Sequence, residues 1–289
     1  MKFLITIIII SISFSLSAYL EKKYIYKINN QIIVQSNEDN NTEDNNTEDN
    51  NNIDSNCYQA EIGTVGKWSG CNNLLIVDRS ILEDLIDGIQ FIASNGEIFN
   101  SYSDTKIFTG QVKDFSRLFS HQDIPNNISI SNWDVSRVTD MSGLFNSSTN
   151  FNQPLNQWNV SNVKDMSGLF YNAESFNQPL NQWNVSSVID MKRMFSSAES
   201  FNQPLNQWNV SNVTNMNSMF RNTPYNNPLD QWDVNNVTNM GSMFLRASSF
   251  NQDISNWCVN LIPEKPNSFD SGSGFEGIDK KQPTWGPCP

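Results

Sequence analysis

The chain has 289 residues, a hydrophobic fraction of 38% and a formal net charge of -12. That is enough for one sizeable folded unit with tails. The acidic balance argues against binding to nucleic acid, whose affinity rests on Lys and Arg, and against adhesion to anionic lipid.

The first 18 residues read as a signal peptide: Lys2, an apolar run from Phe3 to Phe14, then Ser15-Leu16-Ser17-Ala18 as small residues for a peptidase. The competing reading is a retained anchor, since Phe3 to Leu20 is nearly long enough to span a bilayer. Residues 19–55 follow as a spacer. Within it, SNEDNNTEDNNTEDNNNIDS at 36–55 holds seven acids, no base and one apolar residue. Such a stretch cannot bury enough surface to fold and is expected to be disordered.

Residues 56–111 are expected to form an N-terminal cap. Asn73 to Asp78 reads as a short buried strand. Arg79 to Ala93 reads as a helix, with Ile81, Leu82, Leu85, Ile86 and Ile89 on one face. Trp68 lies near Cys71. The four cysteines, Cys57, Cys71, Cys258 and Cys288, fall in two pairs flanking the middle of the chain. In an exported chain the even count suggests disulfides. Three pairings exist, and spacing favours Cys57–Cys71 with Cys258–Cys288. No CxxC occurs and His121 is the single histidine, so the cysteines do not read as a zinc site.

The middle, residues 112–257, repeats itself. FNQPLNQWNVSNVKDMSGLF (151–170) recurs as FNQPLNQWNVSSVIDMKRMF (176–195) and FNQPLNQWNVSNVTNMNSMF (201–220). Tryptophans stand at Trp133, Trp158, Trp183, Trp208, Trp232 and Trp257, 25 apart except for one step of 24, where Tyr225 replaces the Phe. A fixed period of this length is the signature of a stacked solenoid. Each turn is expected to hold a short strand near Leu155–Asn159 and a short helix or 3-10 turn from Met166, N-capped by Asp165. If extended, Leu155, Gln157 and Asn159 face one way and Asn156, Trp158 and Val160 the other. The six tryptophans are read as a structural core ladder, with exposed sugar platforms as the competing reading. Asn152, Asn177, Asn202, Asn226 and Asn251 are read as an internal amide ladder. The sequons Asn127, Asn146, Asn159, Asn184, Asn209, Asn212 and Asn236 follow mostly from the NVS of the repeat, so no glycans are expected.

No catalytic motif appears. There is no GxSxG, Walker loop, HExxH or GxGxxG, and Asp140, Asp165 and Asp190 give way to Asn215 and Asn239 at the same repeat position. The chain is therefore read as a non-enzyme without cofactor or metal. Residues 258–289, rich in Pro, Gly and Ser, are expected to close the stack as a C-terminal cap that does not continue the repeat. Trp285 and Phe269 are expected to cover Trp257 and Phe250.

These units, with FNQDISNWCVN and the ending QPTWGPCP, resemble the BspA-like leucine-rich-repeat surface proteins, a repeat also found in Mycoplasma surface lipoproteins. GTVGKWSGCNNLLIVDRSILEDLI resembles their N-terminal lead-in, so the resemblance spans about residues 57–289. It implies an LRR-like solenoid, a secreted or cell-surface location, and adhesion or protein binding without catalysis. Two departures stand out: there is no lipid-attachment Cys near the start, and Trp, Phe and Met replace most of the usual Leu. The expected partner is an extracellular protein or polysaccharide, with no nucleic acid and no membrane unless the N-terminal segment is retained. The expected contact positions vary between turns: Tyr171 to Ser175, Ser196 to Ser200, Arg221 to Pro224 and Leu245 to Ser249. The alternatives are a secreted glycan-binding or glycan-processing protein and a structural surface-layer component.

Overall fold

The computed structural model describes residues 55–65, 71, 74–102, 106–125 and 129–288. The signal segment, nearly all of the acidic spacer, Trp68, Asn73 and the sequon at Asn127 lie outside the described residues.

The N-terminal part opens with a 3-10 turn, Ser55–Tyr58, and the strand β1, Leu75–Ile76. Helix α1 spans Arg79–Ile86, where Asp78 accepts the Ile81 N–H and caps it. Its buried face is Ile81, Leu82 and Leu85. The helix ends seven residues earlier than its apolar pattern suggests. Gly88 takes φ +74°, and the N–H groups of Gly88 and Ile89 turn back to the carbonyls of Leu85 and Asp84. This left-handed glycine cap closes the helix and frees Phe91–Ile92 (β2) to pair antiparallel with Ile98–Phe99 (β3). Strand β4, Ile107–Phe108, pairs parallel with β1.

From there successive repeats stack as coils. Each coil is marked by one parallel bridge residue: Asp114, Asp140, Asp165, Asp190, Asn215 and Asn239 for coils 1 to 6. Among the described residues of these coils neither strand nor helix forms. Leu155–Asn159 makes no ladder. Instead the Trp158 N–H donates to the Leu155 carbonyl, and that turn puts Leu155, Trp158 and Val160 all inward. Alternating faces do not apply to a turn. The segment after Asp165 also departs from a helix. The N–H groups of Met166, Gly168, Phe170 and Asn172 donate to Asp190, Lys192, Met194 and Ser196 of the next coil, at 2.7–2.9 Å. Those of Leu169, Tyr171 and Ala173 turn back three residues within their own coil. This alternation requires left-handed backbone at Gly168 (φ +59°) and Asn172 (φ +56°), which breaks any helix. The same pair recurs as Arg193 and Ser197, then Ser218 and Asn222, then Ser242 and Arg246. Side chains at positive φ cost energy, here offset by inter-coil hydrogen bonds.

Most of the core is one continuous cluster from Val65 to Phe275, and Cys57, Cys71, Ile76 and Phe108 form a second, small one. Phe145, Phe170, Phe195, Phe220 and Phe244 stack face to face at 5.6–5.9 Å, tilted by 10° or less. A second column, Phe151, Phe176, Phe201, Tyr225 and Phe250, runs beside it. A buried aromatic side chain removes about 200 Å² from water, about 5 kcal/mol before entropy. The coils thus hold one another by packing and hydrogen bonds together.

The ends differ from the middle. At the start, Gln111 Nε2 donates to the carbonyls of Cys57 and Ala60, and the Cys57–Cys71 disulfide closes the cap. Arg79 bridges to Asp114 and to the Ser116 carbonyl, and Arg137 lies 5.0 Å over the Tyr58 ring. At the other end, the rung continues past Trp257, contrary to the expectation for residues 258–289. Ser242, Phe244 and Arg246 donate to Asn267, Phe269 and Ser271, because the Pro266–Gly272 turns reproduce the coil geometry with Ser268 and Gly272 left-handed. Phe275, rather than Phe269, then covers Phe250, with ring centroids 5.1 Å apart. The Cys258–Cys288 disulfide and a bridge between Val259 and Trp285 close this end.

Candidate interaction surface

The coils present three kinds of surface besides the core. The first is the amide ladder. Asn152 Oδ1 accepts the Asn177 N–H and the Gln178 amide, both at 3.0 Å. Asn177, Asn202 and Asn226 repeat this toward the following coil. At the last rung Lys281 Nζ donates to the carbonyl and Oδ1 of Asn251, in place of a seventh coil. These amides bind their neighbours.

The second surface is the bridge column. Asp140 and Asp165 each accept the N–H two residues on, at Ser142 and Ser167, while Asp190 accepts that of Lys192. Asn215 and Asn239 do the same for Asn217 and Gly241. The acid therefore closes a local turn and does not cap a helix. An Asn oxygen serves equally, which explains the Asp-to-Asn exchange along the column.

The six predicted ladder tryptophans, Trp133, Trp158, Trp183, Trp208, Trp232 and Trp257, are buried. Each indole N–H from Trp158 onward donates to a carbonyl of the coil before it, Ile130, Leu155, Leu180, Leu205 and Leu229, at 2.9–3.1 Å. A platform for sugar stacking needs an exposed ring face, and these rings have none to offer. His121 is exposed, at φ +61°, and its N–H donates to the Asn146 carbonyl. Among the described residues no group of three or more His, Cys, Asp or Glu is placed to hold a metal. No helix among them is long and apolar enough to cross a membrane.

The third surface is the loop edge that closes each coil, where the repeat varies most. Ala173, Ser196, Ala198, Thr223 and Ala247 turn inward and are buried, so these expected contact positions are not available. Glu174, Glu199, Arg221, Arg246 and Ser248 are exposed, and Tyr171 and Leu245 are half-buried. The ion pairs among the described residues leave these four charges out: they join Arg79 to Glu83 and Asp114, Lys106 to Glu97, and Lys265 to Asp270. The sequence pointed to this edge through its variability but did not show which positions face out.

Comparison with known proteins locates the repeat. No curated protein and no solved structure matches the chain. One family model matches twice, over residues 93–203 and 178–281, and the overlap of the two matches reflects the internal repeat. Together they cover well over half of the chain, which therefore belongs to the family described as Mycoplasma protein of unknown function, DUF285.

Proposed function

We propose that this chain is a secreted or cell-surface binding module, its coils an LRR-like solenoid, and that it meets an extracellular partner through the loop edge without catalysis. The observation that carries this reading is the division of each coil. Core, bridge and amide positions repeat almost unchanged from coil to coil. The loop edge exposes side chains of changing charge, Glu174, Glu199, Arg221 and Arg246, that join no ion pair among the described residues; Lys164, Lys192 and Arg193 beside the bridge column also join none. Stacked repeats favour long regular faces suited to extended partners, and exposed variable loops on a rigid scaffold are where recognition concentrates.

The test uses fluorescently labelled full chain on intact cells of its source community, read by flow cytometry. A variant with Glu174, Glu199, Arg221 and Arg246 all changed to Ala loses binding. A variant with Gln157, Gln182 and Gln207 changed to Ala keeps it. The opposite pattern moves the site to these exposed glutamines, each next to a buried Trp, and rejects the loop edge. A polysaccharide screen provides the control for the enzyme alternative: turnover abolished by changing a single carboxylate replaces this reading.

A further inference from the structure

Coil 4 departs from its neighbours around the bridge column. Coil 2 has Thr139, Ser142 and Gly143 beside its bridge residue, and coil 5 has Thr214, Asn217 and Ser218. At the same three positions coil 4 has Ile189, Lys192 and Arg193, all exposed. Ile189 is 45% exposed, and among the described residues of coils 1 to 6 no other large apolar side chain is as open to solvent. Arg193 takes φ +56° where coils 2 and 3 have Gly and coils 5 and 6 have Ser. A long side chain at this backbone conformation costs energy that glycine avoids. The coil uses only its backbone: the N–H donates to Asn217 and the carbonyl accepts from Ser196. The Ile189 N–H donates to the Lys164 carbonyl at 2.8 Å, which sets Lys164 of coil 3 beside Ile189. Lys164, Lys192 and Arg193 make no side-chain hydrogen bond or ion pair among the described residues. The acids nearby are engaged. Asp165 accepts the Ser167 N–H, and Asp190 accepts the Lys192 N–H and the Asn215 amide.

We propose that Ile189, with Lys164, Lys192 and Arg193 around it, is a second contact site for an acidic peptide segment that carries an apolar side chain beside its carboxylates. The site goes beyond the loop-edge reading, in both surface and ligand. Cations with no partner of their own, placed around an apolar side chain, are complementary to carboxylates placed around another. Arg193 adds a planar fork that takes a carboxylate through two hydrogen bonds. The neighbouring coils keep small side chains at the matching positions, Ser167 and Gly168 before, Asn217 and Ser218 after, so an extended backbone can approach on either side of the projecting residues. The apolar centre selects a peptide over an anionic sugar or a phosphate, which brings charge but no side chain to cover Ile189. The net charge of -12 repels an acidic partner at long range. The cations alone therefore do not hold it, and the contact with Ile189 is required as well. Binding through so few exposed groups is weak and falls with salt.

The test is fluorescence anisotropy of a short rhodamine-labelled peptide, rich in Glu around one central Leu, titrated with the full chain at low salt. The parent binds it saturably. I189T/K192S/R193G gives coil 4 the residues of coil 2, which the fold already accommodates, so it keeps the far-UV spectrum of the parent. It binds at least about tenfold more weakly. K164E/K192E, changed only at exposed positions, is weakened as much. Replacing every Glu of the peptide by Gln, or its Leu by Ser, has the same effect. The variant with Glu174, Glu199, Arg221 and Arg246 changed to Ala binds the peptide like the parent. A parent that shows no saturable binding, a folded I189T/K192S/R193G that binds like the parent, or a Gln peptide that binds as well as the Glu peptide overturns the proposal. So does tighter binding to phosphatidylserine vesicles or to polygalacturonate than to the peptide. Failure here, with cell binding that still depends on the loop edge, overturns this second site alone and leaves the binding-module reading in place.

Discussion

The carboxylate of Asp270 lies 2.8 Å from the Lys265 ammonium, at the place in the stack where the six preceding coils put a phenylalanine. Phe220 donates its N–H to Met243, the residue before Phe244, and Phe244 donates to Phe269, the residue before Asp270. Asp270 is only 4% exposed and also accepts from Gln282 Nε2 at 2.7 Å and from the Gly277 N–H at 3.3 Å. A buried charge here ends the aromatic column. Phe269 and Phe275 meet Phe244 edge-on, at 86° and 89°, where earlier rings lie flat.

The terminal carboxylate makes the cap sensitive to acid. Burial pushes the Asp270 carboxyl up, but the hydrogen bond and charge of Lys265, with the Gly277 and Gln282 donors, outweigh it and hold it below the ordinary value. A depressed carboxyl contributes stability that is present above the unfolded value, about 3.9, and lost as pH falls through the folded value. Asp270→Asn is expected to cost about 1–3 kcal/mol at neutral pH and to flatten the dependence of melting temperature on pH in that acid range. A variant as acid-sensitive as the parent contradicts this.

Tyr225 is a case of the opposite kind. It sits in the short coil, stacked 4.4 Å from Phe220 where the corresponding Phe pairs approach to 3.9–4.0 Å. Its hydroxyl is buried without a hydrogen-bond partner of good geometry, and burial drives its ionisation far above the usual range. Tyr225→Phe is expected to stabilise by about 1 kcal/mol, a rise of about 2–4 °C in Tm. Calorimetry that shows a drop of that size would mean that the hydroxyl has a partner.

Gly274 is constrained by contact alone. A Cβ there would lie 2.8 Å from the carbonyl oxygens of Ser248 and Phe250. Gly274→Ala is expected to lose about 1–3 kcal/mol by forcing the last loop off the sixth coil. Hydrogen exchange should rise at Phe250 and Phe275 and stay unchanged at Phe170.

The disulfide at the same end closes a loop with a sequence separation of 30. Cys288→Ser is expected to cost about 3–4 kcal/mol in the chain-entropy account, to loosen the cap, and to promote end-to-end association while the central coils stay folded. A monodisperse monomer with an unchanged melting temperature would show that the bridge is dispensable.

One rung of the amide ladder has its own readout. Asn202 Oδ1 accepts the Asn226 N–H at 2.9 Å and the Asn227 amide at 2.8 Å. Asn202→Ala leaves both donors to water at the coil surface, with an expected cost of about 1–2 kcal/mol. The same change at Asn251, where Lys281 is the donor, is expected to destabilise the C-terminal end locally, read by faster exchange at Ile254.

The sequence by itself determined the period, the inward set of Phe, Trp, Val and Met, and the bracketing of the repeat by two cysteine pairs. Those follow from spacing and hydrophobicity, which a linear chain carries openly. It also marked the loop edge as variable. Only the tertiary structure decided how the backbone travels between those residues. Arg193, Ser197, Ser218 and Asn222 adopt left-handed backbone that their side chains do not advertise, because the hydrogen bonds that hold them come from the next coil, 23 or 24 residues away. The same holds for Asp270 and Lys281. As letters they are an acid and a base in a polar tail, and they become the ends of the aromatic column and the amide ladder only when the stack places them there. The order of charges on the loop edge was legible residue by residue. That Glu174, Glu199, Arg221 and Arg246 are exposed while Ala173, Ser196, Ala198 and Thr223 among them are buried depends on which atoms the turns of each coil bury.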